Sequence, residues 1–180
     1  MPTRRHIRLT WVASGESVVA ELLDDEAPQV CALIWGMLPV EQKSIHGQFS
    51  GAEVFVLLDM PQPSPRHPDA TILSGVGEAP SKDASGNPPQ ENLCQLPLPG
   101  ELLYFFDPGG NVTSGTRQAA EICVIYNRGV VLRGPEGAPT HASLFARIPG
   151  DWKYDWKDFA AACRRVRHEG PQRLRIERVT

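Results

Sequence analysis

The sequence has no long hydrophobic run, no closely paired cysteines and no excess of basic residues. No segment reaches the roughly 18 consecutive apolar residues of a membrane span, so we expect no membrane partner. The four cysteines stand far apart and mostly among apolar neighbours, which is typical of buried free thiols in a reducing compartment: Cys31, Cys94, Cys123 and Cys163. We therefore expect a cytoplasmic protein.

Basic residues do not exceed acidic ones, since 18 Lys and Arg stand against 21 Asp and Glu and the net charge is −3. Nucleic-acid-binding domains are normally strongly basic, so we expect no nucleic-acid partner. Ten basic residues nevertheless lie near the chain ends, where they would form a basic band if the first and last strands pair: Arg4, Arg5, Arg8, Lys157, Arg164, Arg165, Arg167, Arg173, Arg175 and Arg178. Such a band would suit an RNA or an acidic partner. The same positions are the polar faces of a helix and two strands, so solvation is the simpler interpretation.

Sequence motifs of the common cofactor and metal sites are also missing. The run from Gly75 to Gly77 lacks the third glycine of a dinucleotide-binding loop, and there is no P-loop, His-x-x-x-His or EF-hand series. In the run from Gly47 to Gly51 the serine stands one place too late for a nucleophile elbow. We expect no metal and no cofactor, and the sequence leaves open whether the protein is an enzyme.

Proline and glycine are abundant, at 17 and 16 residues, which disfavours a helical bundle because proline breaks helices. Nine of the prolines fall between Pro61 and Pro99, among glycine and polar residues. Structureless loops of this length are uncommon inside a compact domain. We predict a single domain spanning 1–180 with a Pro/Gly-rich inserted loop at about 61–99, in which only 70–73 has a weak strand pattern. The sequence does not distinguish an ordered lid from a disordered insertion.

Outside that loop, alternating and apolar runs predict seven or eight strands. In the first strand, Ile7, Leu9 and Trp11 alternate with polar residues, and the run at 18–23 completes a hairpin. Further strand-like segments lie at 52–58, 101–106, 121–126, 142–148 and 173–177.

Two segments have helical spacing of their apolar residues. The first begins near Pro28, after an acidic run that suits the helix dipole, ends before Pro39 and places four apolar side chains on one face: Val30, Leu33, Ile34 and Met37. The second runs from about Asp155 to Glu169, with Asp155 as its cap, and its apolar face comprises Trp156, Phe159, Ala160 and Cys163. Together the elements predict a mainly β protein, a closed β-barrel of about eight strands with two short α-helices covering the ends.

Five short motifs follow one another in an order that resembles a known family: Leu38-Pro39, His46-Gly-Gln-Phe-Ser-Gly-Ala-Glu-Val, Pro99-Gly-Glu-Leu-Leu-Tyr, Glu121-Ile-Cys-Val-Ile-Tyr-Asn and Leu144-Phe-Ala-Arg-Ile. Their order is similar to that of a bacterial family of unknown function with a cyclophilin-like β-barrel fold. The resemblance implies that fold over most of the chain outside the proline-rich loop. It brings no established reaction with it.

Cyclophilins isomerise X-Pro peptide bonds with an arginine beside an aromatic residue and a histidine on an early strand. The corresponding stretch here, from Ile45 to Phe49, contains no arginine. This departure from the cyclophilin pattern argues against peptidyl-prolyl isomerase activity.

A carboxylate begins an otherwise apolar strand at Glu53, which shares one strand face with Phe55 and Leu57. If that face lines the barrel, desolvation would raise the pKa of Glu53 and make it a general acid or base. His46 and Ser50 lie just before this strand and would reach the same pocket. We predict Glu53 and His46 as catalytic residues and Ser50 as ligand-binding. The alternative is a Glu53 that is solvated at the strand mouth or paired with an arginine.

Two tyrosines and two cationic or titratable side chains complete the predicted site. Tyr126 and Arg128 close one apolar strand, where the guanidinium would clamp a carboxylate or amide. Tyr104 lies within another strand, and His141 precedes a third. We predict these four as ligand-binding residues. The alternatives are core tyrosines and a solvated arginine and histidine.

Our first functional hypothesis is a protein that binds a small polar metabolite at the barrel mouth and, in its stronger form, transforms it. The alternative is a peptide- or proline-binding module with or without isomerase activity. A third hypothesis is a structural protein that assembles as a homo-oligomer through strand edges or the long loop. The sequence identifies neither the ligand nor the oligomeric state.

Overall fold

The computed structural model describes residues 4–58, 87–108, 119–134 and 137–179. In chain order, the elements of these residues are β1 (His6–Trp11), β2 (Ser17–Leu22), α1 (Pro28–Met37), β3 (Val40–His46), β4 (Glu53–Leu58), β5 (Leu93–Cys94), β6 (Glu101–Asp107), β7 (Ala119–Ile125), β8 (Ala142–Arg147), α2 (Lys157–Glu169) and β9 (Arg173–Arg178). The predicted strand at 70–73 and most of the predicted inserted loop lie outside the described residues. The division into a single domain stays a prediction.

Eight of the described strands close into an antiparallel barrel. Around the barrel the order is β2-β1-β9-β3-β4-β7-β6-β8, and the pairing of β2 with β8 completes the circle. The short strand β5 pairs with β8 in addition. This architecture confirms the prediction of a mainly β protein with a closed barrel of about eight strands and two helices.

The barrel interior is filled by the alternate residues of each strand. Ile7, Leu9 and Trp11 of β1 point inward as their alternation predicts, and all three are buried. Val54 and Val56 of β4 join the same cluster. Both helices cover this core, because the apolar face of α2, including Phe159 and Cys163, belongs to it, as does that of α1.

A second apolar cluster lies on the outer face of the sheet. It comprises Leu23, Leu103, Cys123, Ile125, Val130, Leu132, Ala142 and Leu144. Because residues 130–132 and the segment around Cys94 pack on this face, strands β6, β7 and β8 are buried on both sides. Burial on both sides explains why their sequences are continuous apolar runs rather than alternating ones.

Helix α1 begins at Pro28, in agreement with the prediction of a proline in the first turn. The acidic run before it does not cap the helix, because Asp24 pairs with Arg5 instead. The carboxylate of Glu91 accepts hydrogen bonds from the backbone N–H groups of Gln29 and Val30, at 2.9 and 3.0 Å. The far end of the proline-rich region is therefore fixed to the start of this helix.

Helix α2 begins two residues later than predicted, at Lys157, and Asp155 does not cap it. The Asp155 carboxylate accepts a hydrogen bond from the backbone N–H of Asp151 at 2.6 Å and closes the preceding turn. The helix ends as predicted, because Gly170 has a φ of 88°, which favours glycine, and Pro171 follows.

The sequence patterns missed strand β3. Its residues are mostly polar, and among them only Ser44 is buried. The strand forms because its backbone pairs with β4 on one side and β9 on the other. A strand that contributes little apolar surface is not visible in a hydrophobicity pattern.

The first and last strands pair, since β1 lies antiparallel to β9. Ion pairs neutralise much of the predicted basic band. Arg173 and Arg175 both contact Glu41, at 3.3 and 2.7 Å, and Arg165 contacts Glu16 at 2.8 Å. These contacts favour a structural role for that side of the barrel.

Candidate functional site

A cavity of about 330 Å³ lies on the outer face of the sheet, where β3, β4, β7 and β6 are neighbours. We call it the outer groove. Its walls are mostly apolar, and they include Ile45, Phe49, Phe55, Leu57 and Phe105. Strand alternation places this cavity outside the barrel, because Phe55 and Leu57 stand opposite to the interior residues of β4.

Glu53 lies at the base of the outer groove and is only 4% exposed. Burial raises the pKa of its carboxyl group, and hydrogen bonds with Cys123 and Ser50 partly offset that rise. Ser50 Oγ accepts a hydrogen bond from the backbone N–H of Arg133 at 3.2 Å. The serine hydroxyl proton is therefore directed to the Glu53 carboxyl, and the carboxyl is held in one orientation.

Gly47 leaves room for the Glu53 carboxyl because it has no side chain. A Cβ atom at this position would lie 2.7 Å from Glu53 Oε2 and 3.4 Å from Glu53 Cβ. The backbone N–H of Gly47 also donates to the Glu53 carbonyl oxygen at 2.9 Å. Glycine at this position lets the β3–β4 loop close over the buried carboxyl.

A second carboxyl in the outer groove, Glu121, was not among the predicted site residues. It lies on β7, opposite Leu57 on one neighbouring strand and Phe105 on the other. Burial first, and then the negative charges of Glu53 and Asp107, raise the pKa of Glu121 to about 8. The group is therefore mostly protonated at neutral pH. Its sequence signal is a carboxylate within the apolar run of β7, comparable with Glu53 in β4.

His46 borders the outer groove, but its imidazole lies on the other face of the sheet. The register pairs His46 with Val54, which points into the barrel. Its Nδ1 lies 2.8 Å from the Gly47 carbonyl oxygen and its Nε2 lies 2.7 Å from the Tyr126 hydroxyl. A carbonyl accepts only, so Nδ1 carries the proton and the tyrosine hydroxyl donates to Nε2. Burial lowers the pKa of His46, which favours this neutral form.

The structure thus brings Ser50 and Glu53 together and separates the other predicted residues from them. Arg128 and His141 are exposed, and neither lines the outer groove. Tyr104 is buried in the barrel core, where burial raises the pKa of its hydroxyl. Strand order and register decide which of these side chains come together, and neither can be read from the spacing of residues in the sequence.

Among the described residues, no group of three or more His, Cys, Asp or Glu side chains is arranged to hold a metal ion. All four cysteines are free thiols, and Cys31, Cys123 and Cys163 are buried. In the same part of the chain, no helix is long and apolar enough to cross a bilayer.

The fold and the cavity together define a closed antiparallel β-barrel protein with a carboxyl-lined groove on the outside of its sheet. More particularly, the chain belongs to the family described as "Protein of unknown function (DUF3830)", which matches residues 9–177. No curated protein matches the chain.

Two solved structures are similar to the chain. The structure of McbB in complex with tryptophan is 20% identical in sequence, with a TM-score of 0.52, and the match covers 97% of this chain and 46% of McbB. This chain therefore spans about half the length of McbB. The solution structure of the hypothetical protein AF2241 from Archaeoglobus fulgidus is 13% identical, with a TM-score of 0.47 over 98% of this chain and 95% of that one. At such identities the likeness to McbB concerns the fold alone.

Proposed function

We propose that this protein is a cytoplasmic, cyclophilin-like barrel that binds a small molecule in the outer groove through Glu53 and Glu121. The observation that carries the proposal is a pair of carboxyl groups desolvated in a mostly apolar cavity of about 330 Å³. A cavity of this size and polarity is typical of small-molecule sites. Perturbed carboxyl pKa values are common at functional sites.

The two carboxyl groups are costly to the fold, which supports a functional role. Ionising a buried acid that has no cation beside it destabilises the folded state. Among the described residues, no side chain forms an ion pair with Glu53 or Glu121. An amide or an apolar residue would fill the same space at lower cost.

The proposed ligand has an apolar body and a protonated amine. The Phe49 ring and the Leu57 side chain would contact the apolar body of the ligand, since these residues are 62% and 46% exposed. The amine would lie against Glu53 and Glu121, because a cation offsets the desolvation that raises both pKa values and the negative charge of Glu53 that further raises the pKa of Glu121. Binding then releases a proton, chiefly from Glu121.

In the stronger form of the hypothesis, Glu53 exchanges a proton with the bound molecule. Its raised pKa suits such a role. Ser50, which hydrogen-bonds Glu53, would fix the orientation of the carboxyl. His46 would act on the opposite side of the sheet, through Tyr126, rather than in the groove.

A matched set of indole compounds tests the proposal: tryptamine as the cation, tryptophol as the neutral analogue and indole-3-acetate as the anion. McbB is described in complex with tryptophan, which makes an aromatic amine a reasonable first probe. A bound ligand raises the melting temperature by mass action. We expect tryptamine to raise it most and indole-3-acetate least, and we expect tryptamine affinity to rise with pH up to about 8, the pKa of Glu121.

Variants with amide replacements locate the site. Glu53→Gln and Glu121→Gln should each weaken tryptamine binding by about tenfold, the order expected for loss of a charge-assisted contact. Glu26→Gln, which changes an exposed carboxylate outside the groove, is the matched control. Equal stabilisation by all three compounds, or unchanged affinity in both groove variants, would contradict the assignment.

A second candidate function is peptide binding in the same groove. The openly exposed ring of Phe49 and the presence of Arg133 in the lining favour it, because this arginine supplies a guanidinium that the β3 region lacks. An assay of cis/trans isomerisation of an X-Pro peptide tests it. Acceleration that is lost in Arg133→Ala would support the peptide function over the amine site.

A further inference from the structure

We propose that a second cavity, beside the first turns of α2, binds an oxyanion. The cavity has a volume of about 300 Å³, and its lining includes Tyr126, Trp152, Lys153, Lys157 and Arg164. We call it the basic cleft. It is separate from the outer groove, with which it shares no lining residue among those described.

The three cations of the basic cleft form no ion pair among the described residues, unlike six arginines elsewhere on the barrel. Six arginines in the described part of the chain form ion pairs with carboxylates: Arg4, Arg5, Arg147, Arg165, Arg173 and Arg175. Lys153, Lys157 and Arg164 form none within those residues. Three uncompensated positive charges around one concave surface favour the binding of a negative group.

The spacing along α2 builds one side of the cleft. Lys157 and Arg164 are seven residues apart, so they lie on the same helix face. Ala160 and Ala161 stand between them and also line the cleft. Small side chains at these two positions leave space for a ligand between two cationic groups.

Two acidic residues that precede α2, Asp151 and Asp155, accept hydrogen bonds from backbone groups rather than from the cations of the cleft. Asp151 accepts a hydrogen bond from the backbone N–H of Lys153 at 2.7 Å, and Asp155 accepts one from the backbone of Asp151. The Lys153 ammonium lies 5.3 Å from the centre of the Trp152 ring, which gives the cleft an aromatic wall beside a cation.

The positive charges near the cleft also act on the hydroxyl of Tyr126, which lines it. Burial raises the pKa of the Tyr126 hydroxyl, and the charges of Arg164 and Arg167 act in the opposite direction. Asn127 adds a side-chain amide to the lining, and its Oδ1 accepts a hydrogen bond from the backbone N–H of Arg128 at 2.7 Å. Lys153, Lys157 and Arg164 thus line the cavity with positive charge, which suits a phosphate or a carboxylate.

The test uses ¹⁵N-labelled protein titrated with inorganic phosphate in one arm and benzoate in the other, with total ionic strength held constant by KCl. We expect saturable shifts of the backbone amide signals of Asn127, Ala161 and Arg164 in at least one arm. Saturation by phosphate alone identifies a phosphate site, and saturation by benzoate alone identifies a carboxylate site. Either result supports an oxyanion site. No saturable shift in either arm overturns the proposal.

A charge-matched pair of double variants separates a site from general electrostatics. Lys157→Gln with Arg164→Gln should weaken the binding about tenfold, as expected for two exposed charge contacts. Arg8→Gln with Lys43→Gln removes the same net charge from two exposed side chains without an ion pair among the described residues, and it should change the affinity less than about twofold. Equal weakening in both double variants would overturn the proposal. All four side chains are exposed, and the spectra themselves report whether the variants fold.

Discussion

The outer groove and the basic cleft are electrostatic opposites built on the same barrel. In the groove, Glu53 and Glu121 are desolvated by strands and apolar side chains, and burial raises the pKa of both. In the cleft, Lys157 and Arg164 stand on an exposed helix face. Among the described residues, none of these four side chains forms an ion pair.

Burial, rather than charge alone, decides which solution variable controls the outer groove and which controls the basic cleft. Desolvation raises the pKa of Glu121 to about 8 and that of Glu53 in the same direction, so pH should control the groove. Exposed cations stay charged over the same range and are screened by salt, so ionic strength should control the cleft. The hydrogen bond between His46 and Tyr126 lies between the two, since His46 borders the groove and Tyr126 lines the cleft.

The largest expected effect that tests this contrast is on stability. Glu121 has a pKa of about 8 in the folded protein, above the ordinary value of 4.5. The folded state therefore binds the Glu121 proton more tightly than the unfolded state does. The stabilisation that this proton gives the folded state is fully present below about pH 4.5 and is lost as pH rises through about 8. At about 1.4 kcal/mol per pKa unit, a rise from 4.5 to about 8 corresponds to a total loss on the order of 5 kcal/mol, of which about 4 kcal/mol falls between pH 5 and pH 9. Urea unfolding between pH 5 and pH 9 measures it.

Glu121→Gln should remove most of that pH dependence and make the protein more stable than the wild type at pH 9. Arg164→Gln, in the basic cleft, is the control and should leave the pH dependence unchanged. If Glu121→Gln has the same slope as the wild type over this range, the groove is not a desolvated acidic site and the contrast with the cleft fails.

How much of this could be predicted from the sequence depends on the strand concerned. Alternation in β1 correctly places Ile7, Leu9 and Trp11 in the core. The same rule groups Glu53 with Phe55 and Leu57, as the groove lining has them. It does not say which face is the barrel interior, and the groove lies outside the barrel rather than at its mouth.

The rest depends on pairing between distant segments. Glu121 reaches the groove because β7 pairs with β4 and places it opposite Leu57, far away in sequence. Strand β7 is covered on both faces, so its apolar run contains no alternation from which a facing direction could be inferred. The same ambiguity leads the sequence pattern to group Tyr126 with Glu53, whereas the structure places the Tyr126 hydroxyl beside His46.

A smaller effect is expected from a single methyl group at the base of the groove. Gly47→Ala would place a Cβ atom 2.7 Å from Glu53 Oε2, so the buried carboxyl must move. We expect destabilisation of about 1 kcal/mol, at the lower end for overpacking, and tryptamine binding weakened about tenfold because the carboxyl is displaced. Gly134→Ala is the matched control in the same groove, since a Cβ there would have its nearest neighbours at 4.0 Å. Equal losses in both variants would show that groove shape, not the Glu53 position, controls binding.

The smallest expected effect compares the two regions directly through salt. Raising KCl from 0.1 to 1 M shortens the screening length from about 10 to about 3 Å. Contacts at the exposed side chains of the cleft are fully open to this screening, whereas the carboxyl of Glu53 is buried. We therefore expect phosphate affinity to fall about fivefold and tryptamine affinity only about twofold, because buried charge pairs are screened less. Titrations of both probes at the two salt concentrations measure the difference. If the two affinities fell by the same factor, burial would not distinguish the groove from the cleft, and the amine would be bound by surface charge alone.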